Sequence, residues 1–409
     1  MTFRLMQAAL LFFLAGCGAS PSESANSSTT SDHAFVVAPV ATFNSPWAMA
    51  FLPGSTEAIV TEKPGRLWLV DTRGGRKQPV AGAPKVVTSS QGGLLDVALS
   101  PRFASDKLVY LTYAEPSANG GSGLAMGRGQ LVRDARGARI QDLQRLWHDP
   151  AGGQGGQFGA IIAFAPDSQS LFLSSGERQR FTPAQDPNQP LGKILHLTLD
   201  GKPAPGNPMA GRMGAAVVTI TDPPEDTEKA EHTAGRQFRW PGPNLTPAET
   251  WSSGHRNPYG LAFDAQGRLW ETEMGPRGGD ELNLILPGRN YGWPLVSDGR
   301  NYDGVPIPPP SSRPDLEQAK LFWNPVISPS TLLIYSGKLF PQWKGSGFIG
   351  ALSGKALVRV TFSGTSAQKA DRWDMGARIR WVGEGPDGAI YLLEDGDGAR
   401  LLRLTPRRR

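Results

Sequence analysis

Residues 251–294, WSSGHRNPYGLAFDAQGRLWETEMGPRGGDELNLILPGRNYGWP, hold the densest set of candidate binding side chains in the chain. Arg256 and Asn257 follow the turn Gly254-His255, and one strand later comes the loop Gly275-Pro276-Arg277-Gly278-Gly279-Asp280-Glu281. Loops rich in Arg, Asn, Asp and Gly, set between short apolar strands, are where binding groups sit on a rigid scaffold. The planar fork of arginine pairs with a carboxylate through two parallel bonds. Arg378 and Arg380 add two more forks, and their spacing of two on a strand puts both on one side. Pro276 has no backbone donor and a fixed φ, so the Gly275-Pro276 turn is suited to presenting carbonyl oxygens. Calcium accepts such oxygens as ligands. Taken alone, a Gly-Pro pair signals only a turn, and an exposed arginine is more often solvated surface.

These groups need a scaffold of strands. From Phe35 onward one pattern recurs: a short apolar strand, a polar turn and a second strand. The copies begin at Pro46, Gly93, Phe158, Pro258, Ile327 and Arg378, spaced roughly 50–70 residues apart with one gap near 100. No long stretch has helical periodicity. A multi-strand unit repeated in this way predicts an all-β fold, a six-bladed β-propeller, whose sheets bury their faces against one another. A pair of β-sandwiches is the alternative. Residues 114–157 and 202–250 carry little strand pattern, and residues 300–322 are Pro-rich. Loops this long are usually functional or disordered, and on a propeller they would wall a central site from one rim. No second domain is expected within residues 34–409.

Gly (50) and Pro (36) are spread along the 409 residues as turn punctuation rather than bunched as in disordered chains. Charged residues are 19% and the net charge is +5, part of it in Arg407, Arg408 and Arg409. There is no basic stripe with interleaved aromatics, which argues against nucleic-acid binding. Residues 1–16 carry Arg4 and then AALLFFLA, too short to span a bilayer (about 20 apolar residues) but fitting a secretory signal. Leu14-Ala15-Gly16-Cys17 resembles a bacterial lipobox, which implies cleavage before Cys17 and lipidation of its thiol; a free or buried cysteine is the alternative. As the only cysteine, Cys17 rules out a disulfide within the chain. Residues 17–33, Ser/Thr-rich and without apolar period, read as a flexible tether. Gly18 rather than Asp after the cysteine favours, by analogy with enterobacterial sorting, an outer-membrane lipoprotein facing the periplasm.

Over roughly residues 40–406 the chain resembles the soluble quinoprotein aldose sugar dehydrogenases, the glucose/sorbosone dehydrogenase family. The strongest motifs lie at 91–101, 183–208, 254–294 and 378–391. The resemblance implies a six-bladed propeller with pyrroloquinoline quinone (PQQ) and calcium on its axis. PQQ is a planar ortho-quinone with three carboxylates. By the same resemblance Arg256, Asn257, Arg378 and Arg380 line the cofactor pocket, Gly275 and Pro276 give calcium their carbonyls, and Gln91 lies near the sugar. Asp96, one strand-length further in, and Trp323, an aromatic wall in the fifth copy, are further substrate-side candidates. The implied reaction oxidises an aldose at its anomeric carbon: a base takes the hydroxyl proton and hydride passes to the quinone. The electron acceptor is not readable.

One position departs from the family pattern. A histidine in a His-Phe-Gly-Gly-Arg-like segment is the family's base, and here the segment reads Gln157-Phe158-Gly159-Ala160-Ile161. A glutamine amide does not titrate near neutral pH, and losing such a base costs on the order of 10²–10⁴ in rate. Of the other histidines, His33 is in the tether, His196 in a strand segment and His232 in a charged loop. His255, beside Arg256, and His148, nine residues before Gln157, are the candidates to replace it, with Asp96 or Asp149 as carboxylate alternatives. The departure keeps two rivals open: a non-catalytic propeller holding a saccharide or other ligand, and a calcium-dependent lactonase-type hydrolase.

Overall fold

In the computed structural model, residues 34–118, 120–223 and 234–407 are described. Cys17, His33, His232, the secretory signal and the tether lie outside the described residues. Among the described residues regular structure is almost all strand, and the two α-helices, Phe103–Asp106 and Thr246–Glu249, are four residues each. No helix among the described residues is long and apolar enough to cross a membrane.

The strands form antiparallel meanders of four. The N-terminal strand β1 (Phe35–Asn44) stands apart from the strands that follow it and pairs with the C-terminal one. The first meander is β2 (Pro46–Phe51), β3 (Glu57–Glu62), β4 (Arg66–Asp71) and β5 (Lys77–Ala81). The second is β6 (Leu94–Leu99), β7 (Leu108–Pro116), β8 (Ser122–Asp134) and β9 (Gly137–His148), joined to the first by a parallel β5–β9 pairing. The third is β10 (Gly159–Phe164), β11 (Ser170–Ser175), β12 (Lys193–Thr198) and, after an excursion carrying the hairpin β13 (Val217–Thr221) and β14 (Gly235–Arg239), β15 (Thr250–Ser253). Then come β16 (Pro258–Phe263), β17 (Leu269–Glu273), β18 (Asp280–Ile285) and β19 (Leu321–Trp323), followed by β20 (Pro329–Ile334), β21 (Gly347–Ala351), β22 (Ala356–Ser363) and β23 (Ser366–Asp374). Last are β24 (Ile379–Glu384), β25 (Ile390–Glu394) and β26 (Asp397–Pro406), completed by β1.

The stretches 114–157 and 202–250, expected to hold little strand, hold the long strands β8 and β9 and the strands β13 and β14. The outer strand β9 shows solvent a row of Arg, Gln and Asp, and Gly127 and Gly129 interrupt β8, so the apolar alternation that marks a strand is diluted in both.

The first strands lie side by side in the order β2, β6, β10, β16, β20, β24, and β24 packs back against β2. The first five are buried over their first four residues, β24 only at Ile379 and Val382 among its first four, and each begins with a register shift: Pro46/Ala48, Leu94/Val97, Gly159/Ile162, Pro258/Gly260, Pro329/Leu332 and Ile379/Trp381. A bulge bends a strand and re-aims the side chains next to it. Hydroxyls stitch neighbouring meanders at these bulges. Thr61 Oγ1 donates to Leu95 O at 2.7 Å, Thr112 Oγ1 to Ala160 O at 2.8 Å, Ser174 Oγ to Pro258 O at 2.9 Å and Ser330 Oγ to Ile379 O at 2.9 Å. Each satisfies a buried carbonyl that the bulge removes from the ladder.

Candidate active site

The N-terminal ends of these first strands, where the bulges sit, surround a cavity of about 150 Å³. Three cations line it: Lys63, Arg378 and Arg380. Buried Ile379 separates the two arginines, which therefore emerge on one side and share one carboxylate. Arg378 Nε donates to Asp395 Oδ2 at 2.8 Å, and Arg380 Nε to Asp395 Oδ1 at 2.9 Å. The arginines hold Asp395 below the usual carboxylate range against the opposing effect of its burial. Trp47 and Tyr259 form an aromatic wall with rings edge to face, 5.6 Å between centroids. Gln91, also on the cavity, accepts at Oε1 from the Tyr259 hydroxyl at 2.9 Å and from the Gln157 backbone N–H at 3.0 Å.

Gln157 precedes β10 and is buried, with φ of 54° in the left-handed region. Its amide, assigned from its neighbours, turns the nitrogen to Glu177 Oε1 and accepts from Arg256 Nη2 at 2.9 Å through the oxygen. Glu177 is itself buried, and its carboxylate takes the backbone N–H groups of Gln179, Arg180 and Phe181. Burial pushes its pKa up, against the pull of Arg256 and those donors. The glutamine thus bridges an anion and a cation and has no basic atom to offer. Behind it the glycine-rich turn 152–156 hangs on two buried arginines. Arg178 donates to the carbonyls of Ser122, Gly155 and Gly156, and Arg180 to those of Gly152 and Gln154.

Arg256 lies beside this bridge. Its Nη1 donates to Met274 O at 3.0 Å and to Gly275 O at 2.6 Å, and its Nη2 to the Tyr302 hydroxyl at 3.1 Å. Its Nε is buried without a hydrogen-bond partner among the described residues. Asn257 accepts at Oδ1 from Gly159 N–H at 3.3 Å, tying this turn to β10. Asp280 fixes the Gly275 turn, accepting from Gly275 N–H at 2.9 Å and from the Ile327 and Ser328 N–H groups; burial raises its pKa to about 6. Below, Asn283 Nδ2 donates to Glu271, Glu273 and Glu281 at 3.1–3.2 Å. Burial, and then the charge of Glu273, pushes Glu271 and Glu281 well above the ordinary carboxylate range. His255, Glu271 and Glu273 also bring their ligand atoms within 4.8 Å of one another.

The structure brings Gln91, Arg378 and Arg380 to the cavity and places Arg256, Asn257, Gln157 and Gly275 in the adjoining hydrogen-bond network. The two histidines do not reach the cavity. His255 is fully buried between Ser252 Oγ (2.9 Å) and Glu273 Oε1 (3.2 Å) and stacks on Tyr291. His148 ends the outer strand β9, paired with Glu115 at 3.2 Å, and lines separate clefts of about 340 and 350 Å³. Asp96 is buried within β6, where its Oδ2 accepts from Ile162 N–H at 2.8 Å; burial raises its pKa to about 7. Asp149 is buried too, its Oδ1 accepting from Ala151 N–H at 3.0 Å. Trp323 is buried at the outer strand β19, packed with Trp270 and Ile327 rather than at the cavity. Sequence reading passed over Lys63, Glu177, Tyr259 and Tyr302. A lysine before a proline, or a tyrosine in a strand, has no local mark of a site; only folding collects them.

The profile of the Glucose / Sorbosone dehydrogenase family matches residues 43–220 and 241–403. The chain belongs to the glucose/sorbosone dehydrogenase family. It is 34% identical over 368 residues to aldose sugar dehydrogenase YliI of Escherichia coli, covering 88% of this chain and 90% of that protein. The crystal structure of the soluble aldose sugar dehydrogenase of E. coli in its apo-form superposes with a TM-score of 0.78 at 33% identity, over 91% of this chain and 100% of that one. The PQQ-bound aldose sugar dehydrogenase of Streptomyces coelicolor does so with 0.66 at 28%, over 91% and 98%. These family members are sugar dehydrogenases and oxidoreductases, and β-propellers.

The cavity of this family member suits a planar polycarboxylate. Three lining cations, with one carboxylate shared by the two arginines, leave positive charge for an anionic ligand, and the aromatic wall offers flat faces. Were PQQ bound here, Arg378 and Arg380 on the cavity, and Arg256 beside it, would be placed to meet its carboxylates. The calcium expectation fits less well. The Gly275 carbonyl already accepts from the Arg256 guanidinium, and a divalent ion on the same oxygen would face that cation at close range.

Proposed function

We propose that this chain is a PQQ-dependent sugar dehydrogenase built as a six-bladed propeller. The observation that carries the reading is the cavity lined by Lys63, Arg378 and Arg380, the two arginines sharing one carboxylate, beside Trp47 and Tyr259. Six meanders of four strands, with first strands in a closed order, support the blade count. The cofactor, when bound, supplies the hydride acceptor. The chain's own residues bind and orient: arginines neutralise carboxylates, the aromatic wall excludes water, and Gln91, held by Tyr259 and Gln157, offers its amide N–H to a substrate hydroxyl. The substrate class proposed is an aldose oxidised at its anomeric carbon.

Calcium dependence belongs to the same proposal only if Arg256 swings away from the Gly275 carbonyl when the cofactor loads. Export and lipidation at Cys17, with the protein on the outer membrane facing the periplasm, are proposed from the leader motif. A second reading, a ligand-holding propeller without catalysis, is favoured by one observation: Gln157 bridges Glu177 and Arg256 where the family places a base. The hydrolase reading has less support. Asp395 has both oxygens on arginines, and Glu271, Glu273 and Glu281 are buried around Asn283.

The test is calorimetric titration of PQQ into the purified chain, with calcium or with a chelator, followed by dye reduction over a panel of aldoses. Binding with turnover supports the dehydrogenase. Binding without turnover supports the ligand-holding reading, and no binding removes both PQQ proposals. Equal binding in chelator would remove the calcium dependence.

A further inference from the structure

We propose that Lys63 is a cofactor-binding residue, the third cation of the cavity, and that it takes a carboxylate of the planar quinone alongside Arg378 and Arg380. The inference deepens the PQQ reading and rests on it. Lys63 follows β3 in the turn Glu62-Lys63-Pro64-Gly65 and lines the same cavity as the two arginines. Its backbone is pinned between the first two meanders: its N–H donates to Ser45 O at 2.9 Å, and its carbonyl accepts from Leu94 N–H at 3.0 Å. Gly93 makes that approach possible. It sits at φ of 137°, and a Cβ there would fall 2.5 Å from the Lys63 carbonyl oxygen. The side chain is therefore launched from a fixed base toward the cavity.

Its ammonium, by contrast, is under-bonded. The one acceptor it reaches among the described residues is the Ser90 carbonyl, at a long 3.5 Å. Neighbouring Glu62 is committed elsewhere, to Asn44 N–H and to Arg66 Nε, both at 2.6 Å. Asp395 has one oxygen on each arginine. A half-buried ammonium beside two guanidiniums is an unfavourable arrangement unless a second anion enters. The direction of its pKa agrees: burial first, and then Arg380, pull it below the ordinary lysine value, with Asp395 only partly opposing them. A carboxylate placed between Lys63 and Arg380 would reverse that shift. The charged and titratable groups facing the ammonium are Arg378 just before β24, Arg380 within it, Asp395 after β25 and Tyr259 from β16.

The experiment titrates PQQ into the full chain purified in detergent, comparing the wild type with Lys63→Met and Lys63→Arg by fluorescence quenching and by calorimetry at pH 9 in two buffers of different ionisation heat. Lys63→Met is expected to weaken binding by about 10- to 100-fold, the loss of one charge-assisted bond, and Lys63→Arg by no more than roughly threefold. The wild type should take up a fraction of a proton on binding, and Lys63→Met none. If the wild type binds and Lys63→Met binds equally well with unchanged proton uptake, the assignment of Lys63 is overturned while the PQQ reading stands. If the wild type does not bind PQQ, both fall. Should Lys63→Met fail to fold, Lys63→Gln takes its place on the same affinity criterion, and wild-type affinity in that variant overturns the proposal.

Discussion

Position 157 holds an amide between an anion and a cation, and that one side chain governs what the site can do. An imidazole there would sit against Glu177, which would orient it and hold its proton. Gln157→His is therefore expected to raise aldose-dependent dye reduction by about 10²-fold or more, with PQQ affinity changed little. Unchanged turnover in a variant that binds PQQ would mean that the proton leaves by another route. Asp96 gives a separate, stability-based prediction. Its folded pKa, about 7, lies above the ordinary 3.8 of an aspartate carboxyl, so its contribution is fully present below pH 4 and is lost as pH rises through 7. Asp96→Asn keeps an acceptor for Ile162 N–H and removes that titration. It should flatten the fall in stability between pH 4 and 7 and gain about 1–3 kcal/mol at pH 8. Denaturant midpoints across that pH range measure it; an unchanged slope would refute it. Neither the bridge at 157 nor the raised pKa at 96 was legible in sequence, because each depends on what chain far away in sequence packs against the side chain.

At the scale of elements, the turn 152–156 and the segment 176–181 brace each other. Gln157, Ala160, Arg178, Gln179 and Phe181 all sit at positive φ, between 54° and 80°, a conformation costly for side chains with a Cβ. The buried guanidiniums of Arg178 and Arg180 hold the opposing carbonyls and keep these residues in place. Arg178 also lies over the Phe158 ring, 3.8 Å from its centroid. Arg178→Met should destabilise the protein by about 2–4 kcal/mol, since it orphans several buried carbonyls at once. Amide exchange should quicken at residues 152–157 and stay unchanged in β1 and β26. Uniform quickening would instead mean that Arg178 supports the fold as a whole. In sequence these arginines look like surface charges, and the glycines around them read only as a loop.

The whole molecule is closed by its two ends. β1 completes the last meander by pairing with β26, from Phe35 opposite Pro406 to Asn44 opposite Asp397. Phe35 and Phe43 are each 2% exposed and belong to separate core clusters. A chain starting at Ser45 should lose about 3–6 kcal/mol from those two side chains alone and expose the edge of β26 to self-association. Thermal melting and light scattering would show it; a wild-type midpoint without aggregation would sink the claim that this closure matters.

The sequence by itself determined where the meanders begin, their apolar first strands, and the arginine forks at 256, 378 and 380, while the strands within 114–157 and 202–250 escaped it. Apolar alternation, turn residues and spacing are local properties, and they survive being read one residue at a time. It also carried the family, through motifs at turns where few residue types fit. Tertiary structure decided which of the candidates share a cavity. It left His255, Asp96 and Asp149 buried and Trp323 and His148 at outer strands, and it drew Lys63, Tyr259 and Glu177 toward the site from three different meanders. Burial and charge are sums over neighbours in space, and those neighbours are set only when the first strands close into their ring.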